Sequence, residues 1–339
     1  MSVICHTYKH TVVFLCAVVI ALLGVPASAA GGAAEDRPLL RVGVLEFGTV
    51  SWEMETVQRL GLAQKHGVRL KVIPLASKNA LKVALQGHEV DLIVSDWLWV
   101  ARQRVHDRQF EYVPYSRAVG AVMINPDAGV DSLADLEGMK IGIAGGPVDK
   151  SWLIARAYTK KMYGFNLEDV VKPRFAAPPM INRLMVDGRL SAAINYWHYN
   201  ARLSALSMQR LITVEQMLNG LGIDTVPPLL GWVFSQQWAA SHYQALQDFF
   251  AASYEAKHIL AASDAAWQPL RDKVKPANDA VFKAIRRGYR AGIVQHYGSK
   301  QIAAAIQLFN VIARESNGKL TGGFKPLSTD IFWDGFRLP

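Results

Sequence analysis

Cysteine is almost missing from this chain. The 339 residues include two, Cys5 and Cys16, and both lie among the first thirty. Beyond residue 30 there is no thiol, which excludes disulfides, thiolate nucleophiles and cysteine-held metals from that part of the chain. Catalytic signatures are missing as well. The sequence has no Gly-x-Gly-x-x-Gly, no His-Glu-x-x-His and no Gly-x-Ser-x-Gly. Gly142 to Ser151 resembles a phosphate loop, but Asp149 stands where that loop needs glycine before Lys-Ser. The nine histidines show no close pair at metal-ligand spacing, and two of them fall in the first ten residues. No catalytic residues, metal ligands or cofactor are therefore expected.

Long apolar runs are equally scarce. The one candidate is Thr11 to Val25, preceded by the polar Lys9-His10 and followed by Ala27-Ser28-Ala29. Charged start, short apolar run and small-residue cleavage site predict a cleaved signal peptide over 1–29. The run is short for a membrane span. The alternatives are an uncleaved anchor and a lipoprotein signal at Leu15-Cys16, the latter opposed by bulky Val13-Phe14. An exported, periplasmic chain of about 310 residues results, long enough for two lobes held together by burial alone.

The charge balance is mildly basic, +9 overall. Lys9 is the only charged residue of the leader, so removing it leaves +8. The tight basic pairs are Lys160-Lys161 and Arg286-Arg287, and no run reads as a nucleic-acid arm. A positive field of this size helps small anions arrive or simply keeps an exported protein soluble.

After a short lead-in, Leu39 to Leu45 reads as a strand, Glu53 to His66 as a helix, Val68 to Pro74 as a strand, Lys78 to Gln86 as a helix and Asp91 to Ser95 as a buried strand. Arg117 to Asn125 reads as one strand. Asp131 to Gly138 reads as a short helix with Ser132 at its N-cap. Then β-α-β-α-β order recurs: strand 140–144, helix 149–163, strand 170–175, helix 180–187 and strand 191–195. The internal likeness is one of element order and not of residues. Pro227 to Ser235 is a returning strand, and 237–317 reads as helices broken near Ser263, Lys275 and Gly298. This predicts an α/β fold of two lobes, each a mostly parallel sheet flanked by helices, with lobe 1 built from 39–120 and 230–339 and lobe 2 from 121–229. Two crossing strands make a hinge, and closure about it is the expected motion.

In such lobes ligands lie at the carboxyl ends of the strands. Those ends carry Glu46, Thr49 and Trp52; Ser95, Asp96 and Trp97; Gly145, Gly146, Asp149, Lys150, Ser151 and Trp152; Asn195, Tyr196, Trp197 and His198. The returning strand adds Trp232. Gly145-Gly146 opens straight into a helix, which aims backbone N–H groups and the positive dipole end into the cleft. Six of the nine tryptophans lie at or just after strand ends, which predicts an aromatic-walled pocket. Lys150 and Ser151 favour an anion; Glu46, Asp96 and Asp149 favour a cation or a donor. Each also has a plainer reading: Asp96 and Asp149 as helix caps, Lys150 as a solvated side chain, His198 and any single tryptophan as core.

The segments Arg41-Val-Gly-Val-Leu45, Ala84 to Asp96, and Ser132 to Ile143 with the following Gly-Gly turn resemble the periplasmic substrate-binding proteins of the nitrate/sulfonate/taurine class of ABC importers. Thiamine-pyrimidine-precursor binding proteins share that fold. The likeness covers about 40–330. It implies a type II periplasmic-binding-protein fold that closes on a small anionic or aromatic ligand and docks, as a monomer, on an inner-membrane permease. The chain departs from the family in its many tryptophans and in its cleft acids. The cysteine-rich site of the related pyrimidine-forming enzymes has no counterpart here. Two other readings stand beside the receptor: an enzyme on the same fold acting on a small carboxylate, and a ligand-presenting partner of another periplasmic protein.

Overall fold

The computed structural model describes residues 37–338. The expected signal peptide and its cleavage site lie outside the described residues. Ten strands form two five-stranded sheets. The first contains β1 (Leu39–Leu45), β2 (Arg69–Leu75), β3 (Leu92–Asp96), β4 (Phe110–Ser116) and β10 (Leu230–Ser235). The second contains β5 (Ala121–Ile124), β6 (Lys140–Ala144), β7 (Lys172–Ala176), β8 (Ala192–Asn195) and β9 (Gln209–Thr213). The helices of eight residues or more are α1 (Val50–Arg59), α2 (Lys78–Gln86), α3 (Trp97–Arg104), α4 (Lys150–Tyr163), α5 (Pro178–Val186), α6 (Trp197–Ser204), α7 (Tyr243–Ala262), α8 (Asp279–Ala291) and α9 (Ser299–Glu315).

The two sheets share one topology. Their orders are β2-β1-β3-β10-β4 and β7-β6-β8-β5-β9. In each, the first three strands are parallel, the fourth is antiparallel to the third, and the fifth is antiparallel to the fourth. The repeat extends to residues, which corrects the expectation that only element order recurs. Arg41-Val-Gly-Val and Lys140-Ile-Gly-Ile lie in the equivalent second strands, β1 and β6. A Cβ on Gly43 would sit 3.1 Å from Leu81 of α2, and one on Gly142 would sit 3.1 Å from Ile181 of α5. Both glycines let the helix after the neighbouring strand lie close on the sheet. Asp91 pins the start of β3 to β1 by accepting from Arg41 N at 2.7 Å and from its guanidinium at 2.5 Å.

The stretch 117–125 is not one strand. The chain finishes β4 at Ser116, crosses to the second sheet through 117–120 and begins β5 at Ala121. Pro114 hid β4, because it breaks a ladder on one side only and is tolerated at a sheet edge. The return crossing runs from β9 to β10. The short helix expected over 131–138 is a 3-10 turn, Ala134–Leu136. Ser132 and Asp135 do cap it: Asp135 Oδ2 accepts from Ser132 N at 2.8 Å and from Asp131 N at 3.0 Å, and Ser132 Oγ accepts from Ala134 N at 3.2 Å. β9 and α6 leave no clear pattern in the sequence, both being short and half polar.

The largest apolar cluster runs through both lobes. It joins Ile93 and Trp97 of the first with Ile141 and Trp152 of the second, together with Leu308 and Phe309 of α9. The C-terminal helix also reaches the second lobe by charge, since Glu315 accepts from Lys160 Nζ of α4 at 2.8 Å.

Candidate functional site between the lobes

Strand polarity brings the carboxyl ends of β1 and β3 to face those of β6 and β8. The residues just beyond each strand end meet there. Asp96 ends β3 and caps α3, its Oδ1 accepting from Trp99 N at 2.9 Å. Asp149 caps α4, its Oδ1 accepting from Ser151 N at 2.9 Å and from Trp152 N at 3.2 Å. Both acids therefore have the plain cap role. Asp96 has a second one. Its Oδ2 accepts from Lys150 Nζ at 3.2 Å, across the two lobes. A second bridge lies beside it: Lys78 Nζ donates to Tyr196 OH at 3.3 Å and sits 4.5 Å from that ring's centre.

The loop before α4 needs its glycines. Gly145 and Gly146 have φ of 98° and 95°, a region side chains rarely enter. A Cβ on Gly145 would sit 3.1 Å from Tyr196 OH. The loop thus brings the first turn of α4, with Lys150 and Ser151, to the lobe boundary.

The charges hold one another ionised. Burial pushes the Asp96 carboxyl up, but the Lys150 and Lys82 ammoniums and the Trp99 N–H outweigh it, and its pKa is lowered. Burial pulls Lys150 down, yet Asp96 and Asp149 raise its pKa overall. Lys82 is lowered, chiefly by burial. Asp149 is raised, because burial outweighs Lys150 and the two backbone donors.

The expected aromatic wall is not there. Trp97, Trp152 and Trp232 are fully buried, and Trp52 and Trp99 nearly so. Trp97 donates its indole N–H to Pro228 O at 3.0 Å and packs on Phe309. Trp232 lies under Tyr115 and Phe249. A strand-end position fixes where a side chain starts and not where it points, and these indoles turn inward to fill the core. Trp197 is the exception. It is half-buried, meets Trp52 edge-on at 6.3 Å, and lines a small pocket between the lobes with Thr49, Tyr115, Lys257 and Tyr289.

Four more expected contacts change character. Asn195 is saturated by structure: its amide donates to Pro178 O at 3.0 Å and Asn182 Oδ1 at 2.8 Å, and its carbonyl accepts from Tyr196 N. Ser95 is buried at the end of β3. Glu46 is exposed, and among the described residues nothing engages its carboxylate. His198 is packed among Tyr196, Trp197 and Tyr199, and burial, with Arg202 and Lys78 adding, pushes its pKa down to about 3. Its Nδ1 has no partner among the described residues.

Sequence reasoning missed a buried charge cluster beneath the small pocket. Glu53 of α1 and Lys257 of α7 are paired, and both are fully buried. Ser253 Oγ donates to Glu53 Oε1 at 2.6 Å, and Tyr289 OH donates to Oε2 at 3.0 Å. Lys257 Nζ also lies 3.6 Å from the centre of the Tyr115 ring. One signal was available. Lys257 falls on the same helical face as Phe249, Phe250, Ser253 and Leu260, an apolar stripe on which a lysine needs a partner. Among the described residues no cluster of His, Cys, Asp and Glu is placed to hold a metal ion.

The architecture is that of two-lobed periplasmic binding proteins. The alkanesulfonate-binding protein SsuA from Xanthomonas axonopodis pv. citri, solved bound to MOPS, matches with a TM-score of 0.66 at 15% identity, over 87% of this chain and 98% of that one. The periplasmic aliphatic sulphonate binding protein SsuA from Escherichia coli matches with 0.66 at 15%, over 84% and 94%. The desulfurization enzyme DSZB has the same fold, with 0.57 at 13%, over 87% and 95%. At these identities the likeness establishes the fold. No protein-family model and no curated protein sequence matches the chain.

Proposed function

We propose that this chain is a periplasmic solute-binding receptor that delivers a small organic anion, aromatic or not, to the permease of an ABC importer. One observation carries the reading: a lysine at the first turn of α4 meets a carboxylate of the other lobe, Lys150 on Asp96 at 3.2 Å. An ammonium at a helix N-terminus is an anion site with a protein carboxylate standing in it. A ligand acid group competes with Asp96 for Lys150, and Ser151 and the Gly-Gly loop offer it further donors. The sulfonate named for the two SsuA structures is an anion of this kind. With most indoles in the core, Trp197 is the aromatic surface left for a flat ligand. Lobe closure would report occupancy to the permease.

The enzyme reading has less support. It wants a carboxyl kept protonated for general acid chemistry, whereas Asp96 is held ionised by its lysines. Asp149 is raised, but the two α4 N–H groups that its Oδ1 accepts from favour its charged form.

Native mass spectrometry of the protein purified from its own compartment tests the proposal. Release of a small anion, rebinding of that compound, and its loss in Lys150→Ala are the expected results. An empty protein that binds no sulfonate, sulfinate or aromatic carboxylate would leave the receptor reading without support. A stable complex with a non-transporter protein and unimpaired uptake on deletion would favour the ligand-presenting alternative.

A further inference from the structure

A second cavity, of about 340 Å3, opens where the chain crosses between the lobes. It lies at the β4 and β9 edges of the two sheets, whereas Asp96 and Lys150 come after the inner strands β3 and β6. Asp96, Gly145, Lys150 and Tyr196 do not line it, while Trp197 stands between this cavity and the small pocket and lines both. Its walls come from both lobes: Arg117 of the crossing, Asn200 of α6, Arg210 of β9, Glu215 beyond it, and Arg287 and Gly288 of α8.

Two features of this cavity point to a ligand. The first is charge. Three guanidiniums face one carboxylate, and that carboxylate is held by Arg117 at 3.5 Å. Among the described residues the guanidiniums of Arg210 and Arg287 have no ion-pair partner, and both side chains are exposed at the rim. Planar guanidiniums suit carboxylates, which they bind through paired hydrogen bonds. The second is Asn200, only 4% exposed. Its amide donates to Ala121 O at 3.2 Å, but its Oδ1 is buried with no donor among the described residues. A buried acceptor left open is costly and calls for a donor.

We propose that this cavity is a second binding site, for a small organic carboxylate that also carries a hydroxyl or amino donor. The arginines take the acid group, and Asn200 Oδ1, which has almost no exposed surface, takes the donor by a turn of its side chain toward the cavity. A cavity of this volume suits a compact metabolite. Because α8 belongs to one lobe and α6 to the other, occupancy biases their relative placement and so the affinity of the cleft.

Isothermal titration with L-malate and succinate, which differ by one hydroxyl, tests this directly. Malate is expected to bind, and succinate at least about fivefold more weakly, because a site holding an open acceptor discriminates against the analogue without the donor. Arg210→Ala and Arg287→Ala, both at exposed positions, are each expected to weaken malate by about fivefold or more. Lys150→Ala, which acts on this site only through the coupling between the lobes, is expected to shift malate affinity by less than either arginine variant. Absence of malate binding up to about 20 mM, weaker than a useful specific site, would overturn the proposal. So would malate binding lost in Lys150→Ala but kept in both arginine variants, since the acid would then be in the cleft. Equal affinity for the two acids would overturn the role given to Asn200.

Discussion

Lys150 and Asp96 belong to different lobes, yet the ammonium of one donates to the carboxylate of the other at 3.2 Å. Each is also placed by its own helix start, so the pair joins two rigid elements. If Lys150 is the anion contact, Lys150→Ala should weaken ligand binding by about tenfold or more, the size of one charged hydrogen bond. Titration calorimetry measures it.

The same pair sets an acid limit on closure. Asp96 is held below its ordinary value of 3.8. A carboxylate with a lowered folded-state pKa contributes stability above its unfolded value and loses it as pH falls through the lowered one. Closure should therefore persist at mildly acid pH and fail below the ordinary carboxylate range. In Asp96→Asn the lobes should be more open already at neutral pH, which small-angle scattering resolves.

Glu53 and Lys257 test a different cost. Both are sealed from water, with Ser253 and Tyr289 completing the hydrogen bonds of the carboxylate. Lys257→Met leaves Glu53 buried and unpaired, and should destabilise the fold by about 3–5 kcal/mol. Replacing both, as Glu53→Met with Lys257→Met, should lose less, because no lone charge remains. Urea midpoints of the two variants decide it. A double variant as unstable as the single one would mean that packing, not charge, dominates.

Eight of the ten strands were legible because apolar runs, glycine stops and turn residues are local signals; β4, interrupted by Pro114, and the half-polar β9 were not. Gly145-Gly146 before Lys150 could be read for the same reason. Orientation was not legible. Trp97, Trp152 and Trp232 start at strand ends or in the sheet, but only packing decides that their indoles face inward. The pair Glu53–Lys257 joins residues about two hundred positions apart, which no local pattern reveals. The tryptophans give a direct check. Trp97→Ala and Trp152→Ala should each cost about 3–5 kcal/mol of stability. Trp197→Ala should cost much less and act on ligand binding instead.

Gly288 of α8 lies against Trp197 of α6, where the lobes touch. A Cβ there would sit 2.8 Å from Trp197 Cε3, inside normal contact. Two effects compete in Gly288→Ala. Alanine gains up to about 1 kcal/mol of helix propensity, while overpacking costs about 1–3 kcal/mol. The alanine variant should be near neutral or mildly destabilised. Gly288→Val adds bulk and a β-branch, so the clash wins. It should hold the lobes apart, with a larger radius of gyration and a weaker ligand response.

His198 supplies a second pH dependence, with its own window. Burial pushes its pKa from 6.5 down to about 3, so the folded protein keeps it neutral while the unfolded chain takes up a proton. Below the unfolded value the unfolded state therefore binds more protons, and stability falls as pH drops from about 6.5 toward 3. Above that window the contribution is complete and flat. Asp96 acts only at the acid end of this range, so the His198 contribution between pH 7 and 5 is separate from it. In His198→Phe, which keeps an aromatic ring among Tyr196, Trp197 and Tyr199 but cannot titrate, the loss between those two pH values should shrink. Thermal midpoints of wild type and variant at pH 7 and pH 5 measure it. Equal losses in the two proteins would place the titrating group elsewhere.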